Sequence, residues 1–444
     1  MKLNVKRTVL VGFAFLAISS FWQMYDSLVP IILTGTFKIS ETVSGGIMAA
    51  DNILALFLLP LFGSLSDKCR SPLGRRRPFI LVGTLLAVIL MIGIPVLDNS
   101  YFAAPNITKL VLFVINLGLL LIAMGIFRSP AVALMPDITP KPLRSKGNAI
   151  INLMGAVGVV IYLLLTSILY SAKRTSGLDH INYLPIFIIV AGIMLFALLI
   201  IMFFVNEPKL CALQAEYEKN YPEDNLTINT EFENKETMPN SVKKSLVFLL
   251  VSIAFWFIGY NAVTTWFTTY AIRMWGMAVG QATICLTVAT AGAIISYIPI
   301  GNLASKLGRK FTIKFGVILL ASCFALAFIY TLISNEFSPL LYILFALVGL
   351  AWAAINVNSL PMVVEMCSGS QAGKFTGLYY TFSMSAQIIT PVIAGWFLQN
   401  ISYKVLFPYA AIAVAISFVT MCFVKHGDNK VKAKTGLEAF DLDD

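Results

Sequence analysis

Three ionisable residues, Asp26, Asp51 and Arg128, lie inside long apolar runs that otherwise carry charge only near their ends. A charge at the centre of a bilayer costs about 2.5–3.5 kcal/mol on insertion scales, so each of the three needs a partner or a task. Asp26 and Asp51 lie on either side of a turn near residues 38–41. Counted down from it at ~1.5 Å per helical residue, they reach similar depths and can be neighbours. Two carboxylates close together in a low dielectric do not both ionise easily, so one can carry a proton at neutral pH. They can equally hold a sodium ion, a hard cation that takes oxygen ligands. Arg128 sits ~13 Å in from the end of its run and can pair with a carboxylate or snorkel. The plainer alternative is a satisfied charge network that only fixes helix packing.

The elements that must position these groups are membrane spans. The chain has 444 residues, 58% of them hydrophobic and 12% charged, with a mean hydropathy of +0.83, a balance foreign to water-soluble domains. Apolar runs long enough to cross ~30 Å of hydrocarbon recur from end to end. Twelve are expected, over 8–33, 44–65, 78–97, 109–133, 148–170, 181–205, 245–270, 279–302, 312–333, 338–364, 372–398 and 403–424. The opening "MKLNVKRTVLVGFAFLAISS" has the basic start of a cleaved leader, but apolarity continues through "FWQMYDSLVPIIL", so it reads as a retained first span.

The formal charge of +10 matters less than its placement. Among 32 lysines and arginines, only Lys38, Lys109, Lys173, Arg174, Arg273 and Lys404 fall in or at the edge of the odd-numbered loops, and only Arg128 lies deep within a span. The rest sit in the N-terminus, the even-numbered loops and the tail, which predicts both termini on the cytoplasmic side of a cell membrane. The six cysteines fall in spans or on that side, so no disulfide across an outer loop is expected. His180 and His426 both lie outside the spans, and no metal-ligand cluster, nucleotide-binding loop or nucleophile with a base is present. An enzyme, a bound cofactor or a nucleic-acid partner is therefore not expected. The expected partners are a small solute and the lipid bilayer, and the expected state is a monomer.

The polar stretch 206–244 separates six spans from six, and its composition suits a solvated linker with one short amphipathic helix. The expected domains are 1–205, this linker, 245–424 and a tail over 425–444. The halves resemble one another. "GSLSDKCRSPLGRRRPF" after span two aligns with "GNLASKLGRKF" after span eight, matching Gly63 to Gly301 and Gly74-Arg75-Arg76 to Gly308-Arg309-Lys310. "RSKGNAIINLMG" likewise matches "KFTGLYYTFSMS". Such parallel repeats predict a solute path between two bundles.

Polar and aromatic groups within spans suggest the solute. Span one holds "FWQMYD" and its repeat partner, span seven, holds "IGYNAVTTWFTTY". Amides pair with hydroxyls, and an aromatic face covers the apolar C–H side of a pyranose. The candidates are Trp22, Gln23, Tyr25, Asn52 and Asn152 in the first half, and Tyr260, Asn261, Trp266, Trp352, Asn356 and Gln387 in the second. Any single Tyr or Trp can equally be an interface anchor or ordinary packing. The amides are stronger candidates, because a buried amide without a partner is costly.

The loop after span two has chemistry of its own. Gly63 admits a close neighbouring helix. Asp67 at a span end can meet a helix N-terminus or a loop arginine. Pro78 opens span three where its missing N–H costs nothing. The pattern G-x-x-x-D-[RK]-x-G-[RK]-[RK] resembles the signature loop of the major facilitator superfamily. Here extra residues separate Asp67 and Lys68 from Gly74-Arg75-Arg76. That longer form, ending in "GRRRPFI", together with "RSPAVALMPDITPKPLRSKGN", is similar to the sucrose transporters within the glycoside-pentoside-hexuronide cation symporters.

The resemblance implies an all-α membrane protein of twelve transmembrane helices in two pseudo-symmetric six-helix bundles. It also implies a latching role for Gly63, Asp67, Gly74, Arg75 and Arg76 between alternating states, beside the plainer role of setting topology. Ser305 replaces the acidic position in the second half, so a second latch of equal strength is not expected. Plant sucrose carriers place an acid within span four and this chain does not, which shifts the expected coupling site to spans one and two. The implied function is import of a glycoside, such as a disaccharide α-glucoside, with H⁺ or Na⁺, preferentially H⁺. The alternative is a proton-coupled exporter of drug-like or amphipathic compounds, in which the amides are packing residues.

Overall fold

The computed structural model describes residues 4–139, 144–220, 239–334, 336–366 and 372–428. Its elements are helical. The first six spans are α1 (Val5–Gly35), α2 (Glu41–Asp67), α3 (Arg77–Ala103), α4 (Ile107–Ile138), α5 (Arg144–Leu169) and, after a single turn α6 (Ala172–Thr175), α7 (Leu184–Phe204). Helix α8 (Glu207–Asn220) opens the linker, whose residues 221–238 lie outside the described residues. Six more spans follow: α9 (Asn240–Trp275), α10 (Val279–Leu307), α11 (Arg309–Ile333), α12 (Leu340–Val364), α13 (Ala372–Asn400) and α14 (Leu406–Cys422). Among the described residues, twelve helices are long and apolar enough to cross a membrane, as the hydropathy pattern predicts.

Local chemistry sets the helix ends. The Asn4 side chain accepts from the Arg7 N–H and that of Asn106 from the Thr108 N–H, satisfying donors that a first turn leaves unpaired. Pro78 occupies the first turn of α3. Gly276 closes α9 with φ 59°, the left-handed geometry that glycine adopts without a side-chain clash.

The helices sort into two compact units, Met1–Ser40 with Ala50–Asp224, and Glu41–Ala49 with Asn225–Asp444. In the first unit α1 packs on α5, α3 on α4, and α7 against α1 and α3. The second repeats this scheme, with α9 on α13, α11 on α12, and α14 against α9 and α11. Small residues permit the close approaches. A methyl group on Gly158 would run into the Leu16 carbonyl, and Ser20 Oγ donates to the Gly158 carbonyl at 2.9 Å. In the second unit, Glu41 accepts from Arg273 at 2.6 Å and from the Tyr403 hydroxyl at 2.7 Å, anchoring the first turn of α2 within that unit.

Two sequence expectations need correction. Helix α3 runs on to Ala103, so it encloses Asp98, which is fully buried; the spans thus hold another acid besides Asp26 and Asp51. Helix α9 is also longer than its apolar run, because helix geometry continues through the polar residues at both ends.

Candidate functional site

In the first unit Trp22, Asp51 and Arg128 converge on one small recess, walled otherwise by apolar side chains such as Leu58 and Met124. The Arg128 guanidinium carbon lies 5.6 Å from the centre of the Trp22 ring, within cation–π range. Asp51 accepts from its neighbour's backbone N–H at 2.6 Å and from the Asn52 side-chain amide at 2.8 Å. Arg128 is close enough to attract the Asp51 carboxylate, yet among the described residues it closes no ion pair. Asp26 follows Trp22 by one helical turn on the same face of α1, and it is near enough to Asp51 for their charges to repel.

The charge count is the chemical content of this cluster. The cluster holds two carboxylates and one guanidinium, and the guanidinium serves Asp51. One negative charge, nearest Asp26, has no counter-charge among the described residues. In a low dielectric such an excess is expensive, and a single monovalent cation, H⁺ or Na⁺, balances it.

The sequence-predicted residues around the cluster divide by what they are bonded to. Gln23 donates to Ser27 Oγ at 3.1 Å and is turned along its own helix. Tyr25 is buried, with its hydroxyl unpartnered among the described residues. Asn152 is half-buried on α5. Tyr162 on α5, which pattern reading missed, is fully buried and within electrostatic reach of Asp26. Its one sequence signal is a single phenol in the apolar run "VVIYLLL".

In the second unit Tyr260 and Trp352 lie parallel, ring centres 3.6 Å apart and planes inclined by 5°. Phe257 meets Trp352 edge-on at 5.3 Å. Asn261 donates to the Phe257 carbonyl at 2.8 Å and Gln387 to the Ser383 carbonyl at 3.3 Å. Each amide therefore keeps a second N–H and its oxygen for other partners. Asn356 is half-buried on the same helix as Trp352. Trp266 differs: it is wholly buried, and its single N–H donates to the Pro391 carbonyl at 3.2 Å, which makes it a core residue in this structure.

The loop between α2 and α3 is built around Arg76. Its guanidinium pairs with Asp67, with Asp137 at 2.7 Å and with the Gly63 carbonyl at 3.2 Å, while Arg75 reaches Asp137 at 3.0 Å. Burial alone would pull the Arg76 pKa down; the Asp137 and Asp67 carboxylates outweigh it and push it above the ordinary arginine value. Glu207 accepts from the backbone N–H groups of Arg75, Arg76 and Arg77 at 2.9–3.0 Å, capping α3 with a full negative charge. Gly74 has φ 108°, and a side chain there would collide with the Glu207 carboxylate.

The second unit has a counterpart to this arrangement. Gly308 has φ 93°, Arg309 pairs with Glu365, and Asp428 accepts from the Lys310 N–H at 3.0 Å. Asp137 and Glu365 close the fourth span of each half, and Glu207 and Asp428 follow the sixth. The repeat therefore keeps one acidic partner for its arginine, Glu365, while the position of Asp67 is held by Ser305, whose side chain lies outside the described residues. Pattern reading missed all four acids because it aligned one loop with another and not the span ends those loops meet.

Comparison with known proteins agrees with this architecture. The sequence profile of the Major Facilitator Superfamily matches residues 11–278 and 273–441. The sucrose transport protein SUC3 of Arabidopsis thaliana is 36% identical over 152 residues, 32% of this chain and only 25% of that protein. An uncharacterised transporter of the same superfamily from Methanocaldococcus jannaschii is 25% identical over 432 residues, covering 94% of this chain and 95% of its own length. Among solved structures, a D-xylose-proton symporter superposes with a TM-score of 0.66 at 14% identity over 97% of this chain and 98% of its own, a likeness of fold.

Proposed function

We propose that this chain, which belongs to the Major Facilitator Superfamily of transporters, imports a glycoside together with a monovalent cation, with the proton as the preferred ion. The observation that carries the reading is the uncompensated negative charge of the Asp26–Asp51–Arg128 cluster beside the Trp22 indole. A cation that neutralises it changes the electrostatics of a recess that also presents the aromatic face of Trp22. Two further features support a sugar: the local similarity to a plant sucrose transport protein and the Tyr260–Trp352 platform with its nearby amides. The preferred solute is a disaccharide such as an α-glucoside.

Under this reading both termini face the cytoplasm of a cell-membrane protein, in keeping with the basic even-numbered loops. The Arg76 network, with Gly63, Asp67, Gly74 and Arg75, acts as a latch that is remade in each transport cycle. The test is uptake of labelled mono- and disaccharides into proteoliposomes under an inward proton gradient, with Na⁺ varied. Accumulation of a disaccharide that collapses with a protonophore is the expected result. Extrusion of lipophilic cations with no sugar accumulated overturns it.

A further inference from the structure

The end of the second unit nearest the linker and the tail carries basic side chains that the transport reading leaves unused. Helix α14 packs against α9 there, and the buried Ser245 ties the two together. Its Oγ accepts from the Lys425 backbone N–H at 3.1 Å and bonds His426 Nδ1 at 2.8 Å. The residues that follow α14 are thus pinned to the second turn of α9, which holds the Lys425 backbone next to that of Lys244. Both lysines are exposed.

The apolar runs of these two helices cover 245–270 and 403–424, so Lys244 and Lys425 stand just outside them, at headgroup level. Phe248, one helical turn on from Lys244, and Phe423 stand just inside. Their rings stack with centres 5.1 Å apart and planes inclined by 28°, and Phe423 is 56% exposed. The seam therefore presents two cations at one depth and an open aromatic pair immediately below them.

The charges on this surface are uncompensated. Among the described residues no carboxylate pairs with Lys244 or Lys425. Glu365 is bound to Arg309, and Asp428, the next acid along the chain, accepts from the Lys310 N–H. Ser245 Oγ spends an acceptor site on Lys425, and its own hydrogen satisfies His426 Nδ1, which leaves hydrogen on Nε2 as a further donor.

From this geometry we infer that the end of the α9–α14 seam binds an anionic phospholipid, its phosphate held by Lys244, Lys425 and His426 Nε2 and its acyl chains laid along the Phe248–Phe423 pair. Basic sites between membrane helices hold anionic headgroups in this way, and a zwitterionic headgroup brings a cation of its own to the lysines. One turn deeper, the Ser252 and Thr420 hydroxyls bond each other at 2.7 Å. The helices are closed at that level, so the chains lie on the seam and not within it. The site is independent of the transported solute and of the coupling ion, and its test needs neither.

The full-length protein in neutral detergent is to be titrated with phosphatidylglycerol and, separately, with phosphatidylcholine of the same acyl chains, with bound lipid counted by native mass spectrometry. A lysine beside an anionic headgroup contributes about fivefold in affinity. The wild type should therefore prefer phosphatidylglycerol by roughly an order of magnitude, and the double variant Lys244→Gln, Lys425→Gln should lose about 25-fold for that lipid with phosphatidylcholine unchanged. The double variant Lys68→Gln, Lys209→Gln removes equal charge from the same side of the membrane in the first unit and should bind as wild type. Phe423→Ala should weaken both lipids, and glycerol phosphate, a headgroup without chains, should displace neither. Equal retention of the two lipids, wild-type affinity in the Lys244, Lys425 or Phe423 variants, an equal loss in the Lys68, Lys209 variant, or displacement by glycerol phosphate would each overturn the site.

Discussion

The Arg76 guanidinium meets the Asp137 carboxylate through Nε at 2.7 Å, joining the residue that precedes α3 to the last turn of α4. The Arg76 side chain is only 6% exposed, Asp137 16% and Asp67 55%. One arginine is therefore held by one mostly buried acid and one solvated acid, and the two are not equivalent.

Asp137→Asn removes the buried partner while preserving shape. Breaking a buried pair costs about 3–5 kcal/mol, and the remaining Asp67 contact places the expected loss toward the lower end. Asp67→Asn should cost under about 1 kcal/mol, as exposed ion pairs do, yet slow transport at equal expression if the latch is remade in each cycle. Thermal unfolding in detergent beside initial uptake rates separates the two. Equal destabilisation by both variants would show that burial does not rank them.

Glu207→Ala strips three backbone N–H groups of their acceptor and should cost about 0.5–2 kcal/mol, with a further ~0.3–1 from the lost charge at the helix N-terminus. Glu207→Gln keeps an acceptor oxygen and should lose mainly the charge contribution. Gly74→Ala should be worse than Glu207→Gln, because alanine is strained at φ 108° and its methyl group displaces the cap. The unfolding midpoints of the three variants check the order.

Asp26→Asn removes the charge that has no counter-ion among the described residues. Solute exchange should persist while pH-driven accumulation is lost. Asp51→Asn leaves Arg128 without its anion, so it should impair exchange as well and lower the unfolding midpoint. Should both variants still concentrate solute, neither residue couples transport to the cation.

Trp352→Ala dismantles the parallel pair with Tyr260. Aromatic contacts contribute about 0.5–1.5 kcal/mol beyond buried area, so KM for the solute should rise roughly three- to tenfold. Trp266→Phe loses the bond to the Pro391 carbonyl and leaves part of a sealed indole site empty, so it should cost more stability than the ~0.5–1.5 kcal/mol of a hydrogen bond alone, with KM unchanged. A KM effect confined to Trp266→Phe would reverse the roles given to the two indoles.

Twelve spans, a break between two halves and the repeat of one basic loop were legible in the chain because hydrophobic length and charge placement are local properties that a bilayer reads directly. The similar depth of Asp26 and Asp51 followed from helical rise alone. What linear reading could not supply was partnership. Asp137, Glu207, Glu365 and Asp428 stand far along the chain from the arginines and helix ends they serve. Trp266 and Trp352 are chemically identical until packing seals one and leaves the other half-open. Asp98 reads as a loop acid until α3 continues past it and buries it. Composition and periodicity determine which segments enter the membrane; which charges are compensated depends on distances between helices, and those exist only once the small-residue contacts have closed the bundles.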